Sequence, residues 1–156
     1  MNVKINAADD SENLAAVIMA GRRVHAAIDT IDYVISEHLG IHRNDLRALN
    51  LLEEGPLSPR SIGDRIGLTS GSVTALLDRL EKAGFVERRP SKTDRRSIEV
   101  EITPHRHAEI GALYRQCADI LMQTFGEQQG DQLRASADVL STFATAMEQV
   151  AVALAV

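Results

Sequence analysis

The sequence predicts a mainly α-helical fold with one small β-hairpin. Three observations carry this reading. Near both ends of the chain, apolar residues recur at intervals of three and four, the spacing of one helix face. In the middle, glycines and prolines divide the chain into three short helical segments, two of which begin on a capping residue. After these come residues 85–103, FVERRPSKTDRRSIEVEIT, two strand-like runs around a polar, turn-rich tip.

The N-terminal stripe runs from Ser11 to about Glu37 through Leu14, Val17, Ile18, Val24, Ile28, Ile31, Val34 and Ile35, and Gly40 stops it. Asn44 to Glu53 is a short helix with Leu46, Leu49 and Leu52 on one side, ended by Gly55-Pro56. Ser58 caps the next helix, with Pro59 at its first position, Ile62 and Ile66 inward and Gly67 at its end. Thr69 or Ser70 then caps a helix whose buried stripe is Val73, Leu76, Leu77 and Leu80 and which ends at Gly84. The two strands are Phe85–Arg89 and Ile98–Ile102; the second alternates Ile98, Val100 and Ile102 with Glu99 and Glu101. Thr103 and Pro104 open a helix reaching Phe125, with Ile110, Leu113, Cys117, Ile120 and Leu121 inward. Gly126 and Gly130 bracket the turn into a last stripe from Leu133 to Leu154, through Ala137, Leu140, Ala144, Met147 and Ala151. The expected organisation is a long N-terminal helix in residues 1–40, a central region in 41–103 and C-terminal helices in 104–156. Helices this apolar exceed what the small middle region can cover. A second copy is the simplest cover, against the alternative of a monomeric bundle folded on itself.

Composition narrows the class. The chain has 156 residues, 44% hydrophobic, only 3% aromatic, with no Trp, so Leu, Ile, Val and Ala must fill the core. One cysteine, Cys117, cannot form an internal disulfide and suits a reducing compartment. The N-terminal residues do not have the charge and apolar run of a signal peptide, and no stretch of about 18 apolar residues exists to span a membrane. These features predict a soluble, cytoplasmic protein without a membrane partner. The scarcity of aromatics argues against single-stranded nucleic acid, which needs stacking platforms.

Formal net charge is −5, yet Ser58–Arg106 holds ten Lys/Arg against seven Asp/Glu, leaving seven against fifteen elsewhere. Position gives this local excess its meaning. The two helices joined by a tight Gly-containing turn form a helix-turn-helix candidate. The outer face of the second carries Thr69, Ser70, Gly71, Ser72, Thr74, Ala75, Asp78 and Arg79. Small hydrogen-bonding side chains at a helix N-terminus suit entry into a DNA major groove. A hairpin directly after such a pair makes a winged helix-turn-helix, and Arg88, Arg89, Lys92, Arg95 and Arg96 sit where a wing would meet phosphate or the minor groove. Asp94 among them can brace a guanidinium through a bidentate pair.

At these residues the chain resembles the MarR family of bacterial transcription regulators. Asp78-Arg79-Leu80-Glu81, Gly84, Val86 and Arg88 match the end of the family's recognition helix. Asp94 and Arg96 match its wing pair, and Ile102-Thr103 its exit. The resemblance extends over nearly the whole chain. It implies a homodimer on a pseudo-palindromic double-stranded DNA operator, usually as a repressor and without a cofactor. It further implies release by a small phenolic or other aromatic compound, held between the dimerisation region and the DNA-binding lobe. Tyr33, Leu39 and Leu46 are candidate lining residues for that compound. The chain departs from the family pattern at Ala75, where members often carry Arg, and at Arg106, where Gly is usual. Cys117 lies after the wing, whereas the peroxide-sensing members place a reactive cysteine near the N-terminus.

Two other readings use the same residues. His38, His42, His105 and His107 could make a metal-responsive regulator, although Gly40 breaks the register of the first pair and no Cys or acidic residue completes a known ligand spacing. The winged helix could instead bind protein. No nucleophile–base pair, phosphate loop or paired carboxylates point to an enzyme.

Overall fold

A computed structural model describes residues 7–91, 97–126 and 130–154. Helices α1 (Ala7–Leu39), α2 (Arg43–Leu52), α3 (Pro59–Ile66) and α4 (Ser70–Lys82) come first, followed by strands β1 (Val86–Pro90) and β2 (Ile98–Ile102). Helices α5 (Pro104–Phe125) and α6 (Gly130–Leu154) complete the order. This is a mainly α fold with a single hairpin, as the sequence predicts. The chain divides into two compact units, residues 31–121 and residues 1–30 with 122–156.

The first unit is the winged helix. Ser58 caps α3 by accepting from the Ser61 N–H, and Pro59 stands at its start. Gly67 closes it at φ +75°, which lets the chain turn into α4 within three residues. Thr69 caps α4 by accepting from the Ser72 N–H. Leu46, Leu49, Leu52, Ile62, Ile66, Val73, Leu76, Leu77, Leu80, Phe85, Val86, Val100, Ile102 and Ile110 are all buried here. Each such side chain contributes about 1.5–3 kcal/mol on burial. Strands β1 and β2 are antiparallel, from Val86 opposite Ile102 to Pro90 opposite Ile98. Leu57 adds a one-residue bridge on the far side of Val100, with hydrogen bonds of 3.1 and 2.8 Å. Phe85 belongs to the helix stop and the core: β1 begins one residue later than the sequence suggests.

The unit boundaries fall inside α1 and α5. The end of α1 gives Ile35 and Ser36 to buried positions and packs Leu39 on the core. The start of α5 buries Ile110 and packs Tyr114 on the same core. The Tyr114 hydroxyl donates to Asn50 Oδ1 at 2.8 Å, and burial raises its pKa above the ordinary value.

The second unit holds most of α1 and all of α6. Gly21 is buried because the Phe143 ring lies against it: a Cβ there would be 2.4 Å from the ring. Beside this contact α1 and α6 border an open apolar cleft of about 1090 Å³, lined by Leu14, Ile18, Val139, Phe143, Met147 and Val150 among others. No residue of α6 is buried. At the end of α5, Ile120 and Leu121 are 60% and 56% exposed, although their spacing predicts an inward face.

Close packing of α3 on α4 depends on Gly63. A Cβ there would sit 2.8 Å from Val73 Cγ2 and 3.2 Å from the Leu68 carbonyl oxygen. Gly63→Ala should therefore destabilise the protein by about 1–3 kcal/mol through overpacking. Gly71, in α4, has open space around it. Gly71→Ala should stabilise by about 0.5–1 kcal/mol through helix propensity. Urea titrations of the two variants check both signs.

Candidate nucleic-acid interface

Helix α4 is built to bury one side and present the other. Val73, Leu76, Leu77 and Leu80 are buried, while Thr69, Ser70, Ser72, Thr74, Ala75, Asp78 and Arg79 are exposed. At the N-terminus the hydroxyls of Thr69 and Ser72 share a hydrogen bond of 2.9 Å, and Thr74 Oγ1 donates to the Ser70 carbonyl at 3.0 Å. These bonds fix the rotamers. The Ser72 and Thr74 hydroxyl oxygens keep acceptor capacity for a base edge or a water.

Arg79 has a structural partner that the sequence did not announce. Asp45 in α2 is 1% exposed and takes both Arg79 Nη2, at 2.5 Å, and Arg79 Nε, at 3.1 Å. The same carboxylate accepts the His42 N–H at the start of α2, at 3.1 Å. The hydrogen bond to Asp45, with the attraction of its charge, raises the Arg79 pKa beyond its already high value. The bidentate pair fastens the outer face of α4 to α2. Asp45 lies three residues after the N-cap His42, a capping-box position that is the one signal readable from the sequence.

The strand arginines are also paired. Arg88 in β1 bridges two carboxylates of α4, Asp78 at 2.6 Å and Glu81. Arg89 meets Glu87 at 2.6 Å and Glu101 at 2.8 Å. The positive charge of both is therefore matched locally, and Arg88 ties β1 to α4. Lys92, Asp94, Arg95 and Arg96 lie outside the described residues. On either side of that segment Pro90 pairs with Ile98, and the Ser91 N–H donates to the Ser97 carbonyl at 2.9 Å.

The remaining candidates are dispersed. Tyr33 is exposed, Leu39 is half-buried against the core, and Leu46 is 1% exposed within it. His107 pairs with Glu53 at 3.2 Å. Among the described residues no group of three or more His, Cys, Asp or Glu is placed to hold a metal ion. Among them, too, no helix is long and apolar enough to cross a membrane.

The Asp45–Arg79 pair yields a stability prediction. Asp45→Ala removes the bidentate contact and the cap of α2 together, and should cost about 1–3 kcal/mol. Arg79→Ala should cost at least as much, because it leaves the Asp45 carboxylate, 1% exposed, with only the His42 N–H. A double-mutant cycle by thermal denaturation should show a coupling of about 0.5–3 kcal/mol; strict additivity would mean that the pair contributes nothing.

Comparison with known proteins agrees with this geometry. The MarR family profile matches residues 39–97. The HTH-type transcriptional regulator YcgE of Bacillus subtilis is 33% identical over 115 residues, covering 73% of this chain and 75% of its own. A MarR family protein from Bacillus stearothermophilus superposes with a TM-score of 0.71 at 19% identity, over 88% of this chain and 97% of that one. Streptococcus pneumoniae FabT, solved in complex with DNA, superposes at 0.64 and 16% identity, over 85% and 97%. With a winged helix, an outward-facing α4 and these relatives, the chain belongs to the MarR family of transcriptional regulators, a non-enzymatic class.

Proposed function

We propose that the protein is a homodimeric repressor that binds a pseudo-palindromic double-stranded DNA operator and is released by a small aromatic effector. The observation that carries the DNA reading is the bare outer face of α4. Its exposed hydroxyls at Thr69, Ser70, Ser72 and Thr74 stand at a helix N-terminus, over a fully packed inner stripe. Such a face combines base-edge readout with the N–H groups that favour phosphate. FabT, of the same fold, was solved on DNA, which supports the same use here. On the resemblance to the family, Arg96 and Asp94 form the wing contact.

The dimer reading is supported by the second unit. Leu14, Ile18, Ile28, Leu140, Met147 and Val150 are all exposed in a single chain, and the cleft beside them is apolar. Patches of this extent mark association surfaces. A second copy also supplies the second recognition helix that a two-fold operator needs. For the effector, Tyr33 and Leu39 keep exposed surface, whereas Leu46 is packed inside the lobe.

Selection of bound duplexes from a random pool tests the reading. The enriched sequence should be an inverted repeat with half-sites about 34–36 Å apart, or a multiple of this, and light scattering should give the mass of a dimer. Ser72→Ala and Thr74→Ala should change operator preference more than binding to a scrambled duplex. Equal affinity for selected and scrambled duplexes, or a monomer that binds fully, would overturn it. Salicylate serves as the effector probe: it and the operator should weaken each other by the same factor.

Arg88 gives a separate prediction. Arg88→Ala leaves Asp78 and Glu81 without their cation on the DNA-facing side, so affinity for any duplex should fall. Adding Asp78→Asn and Glu81→Gln should restore most of the loss, because the residual repulsion is removed. Failure of this rescue in anisotropy titrations would assign Arg88 to direct phosphate contact.

A further inference from the structure

Helix α4 ends in a motif that uses its own last carbonyls. The Phe85 N–H donates to the Leu80 carbonyl at 2.9 Å and the Gly84 N–H to the Glu81 carbonyl at 2.9 Å, with Gly84 at φ +74°. This is a Schellman stop. The carbonyls of Ala83, Gly84 and Phe85 are then taken by residues at the start of α5. Thr103 N–H donates to Phe85 at 2.9 Å, Thr103 Oγ1 to Gly84 at 2.8 Å, and Arg106 Nη2 to Ala83 at 3.2 Å.

Arg106 is held for this task from three sides. Its Nη1 meets Glu109 at 2.6 Å, and its guanidinium lies 4.2 Å from the centre of the buried Phe85 ring. Its charge faces the negative end of the α4 dipole. Glycine, which the family resemblance leads one to expect at this position, could make none of these contacts.

We infer that Arg106 is a positioning residue, which clamps the C-terminal end of the recognition helix to α5 and so fixes the angle at which α4 meets DNA. The inference rests on the DNA reading above and names a residue outside the contact face. Base-edge hydrogen bonds depend on angle and distance, whereas phosphate attraction tolerates misplacement. Loss of the clamp therefore lowers discrimination before it lowers non-specific binding.

The test measures the full-length protein against its selected duplex and a scrambled duplex of equal composition, across a salt series. Arg106→Ala should lose about ten-fold in affinity for the selected duplex, with scrambled affinity nearly unchanged. The slope of affinity against salt should stay at the wild-type value, because no phosphate contact is removed. Arg106→Lys, which keeps the charge over Phe85 and one hydrogen bond, should recover part of the loss. Glu109→Gln should weaken discrimination mildly, and because Glu109 is a surface residue it reports even if Arg106→Ala folds poorly. Equal loss on both duplexes with a salt slope reduced by about one would make Arg106 a phosphate contact and overturn the inference. An unchanged discrimination ratio in Arg106→Ala and Glu109→Gln would also overturn it. If wild-type protein selects no duplex, the DNA reading itself falls, and the inference with it.

Discussion

Everything in the lobe depends on burying one face of α4 while leaving the other bare. Val73, Leu76, Leu77 and Leu80 set the rotation of the helix about its axis: no other rotation covers all four. Gly63 sets the distance, because only a missing side chain lets α3 approach Val73 so closely. Once rotation and distance are fixed, Ser70, Ser72 and Thr74 must face outward, whatever they contact there. The hydrophobic effect thus positions the polar surface, although it acts on none of those polar groups directly.

Arginine contacts then hold the angles that packing leaves soft. Asp45 fixes α4 to α2, Arg88 fixes β1 to α4, and Arg106 fixes α5 to the end of α4. All three attach to the same helix, each from a different element. Asp45 is buried, but the more exposed contacts of Arg88 and Arg106 add little stability singly, about 0–1 kcal/mol. Their value lies in direction, since a planar guanidinium between fixed acceptors defines an orientation that apolar contact does not. This explains an apparent excess of acid beside the surface proposed to meet DNA. Asp78, Glu81, Glu87 and Glu101 neutralise strand arginines that serve as struts.

Most of this frame was legible in the sequence. Ser58, Pro59 and Gly67 delimit α3 through backbone rules that act over a few residues, and Thr69 opens α4 in the same way. The α4 stripe and the alternation in β2 follow from local periodicity. What escaped notice was long-range or too short to have a period. Asp45 and Arg79 are 34 positions apart, and nothing local ties them together. Leu57 bridges Val100 as a single residue, which no alternation can reveal. Phe85 looks like a strand residue by type, but the Schellman stop requires an apolar residue there to pack back on the core. Arg88 and Arg89 could be counted as positive charge from composition, whereas their neutralisation appears only when β1 lies against α4 and β2.

The terminal helices carry the same logic one level higher. Their apolar stripes were visible in the sequence, but a single chain covers them only locally, as where Phe143 packs on Gly21. On the proposed dimer, the sequence pattern of α1 and α6 reflects an environment larger than one chain. Within the lobe, a buried stripe fixes how one recognition helix is turned. Between chains, a shared apolar surface would fix how far apart two recognition helices stand, and a two-fold operator reads that distance as strictly as it reads the angle. Affinity for such an operator then depends on association as well as on the contact face, so substitutions that loosen α1 or α6 should lower operator binding without touching any DNA-facing residue.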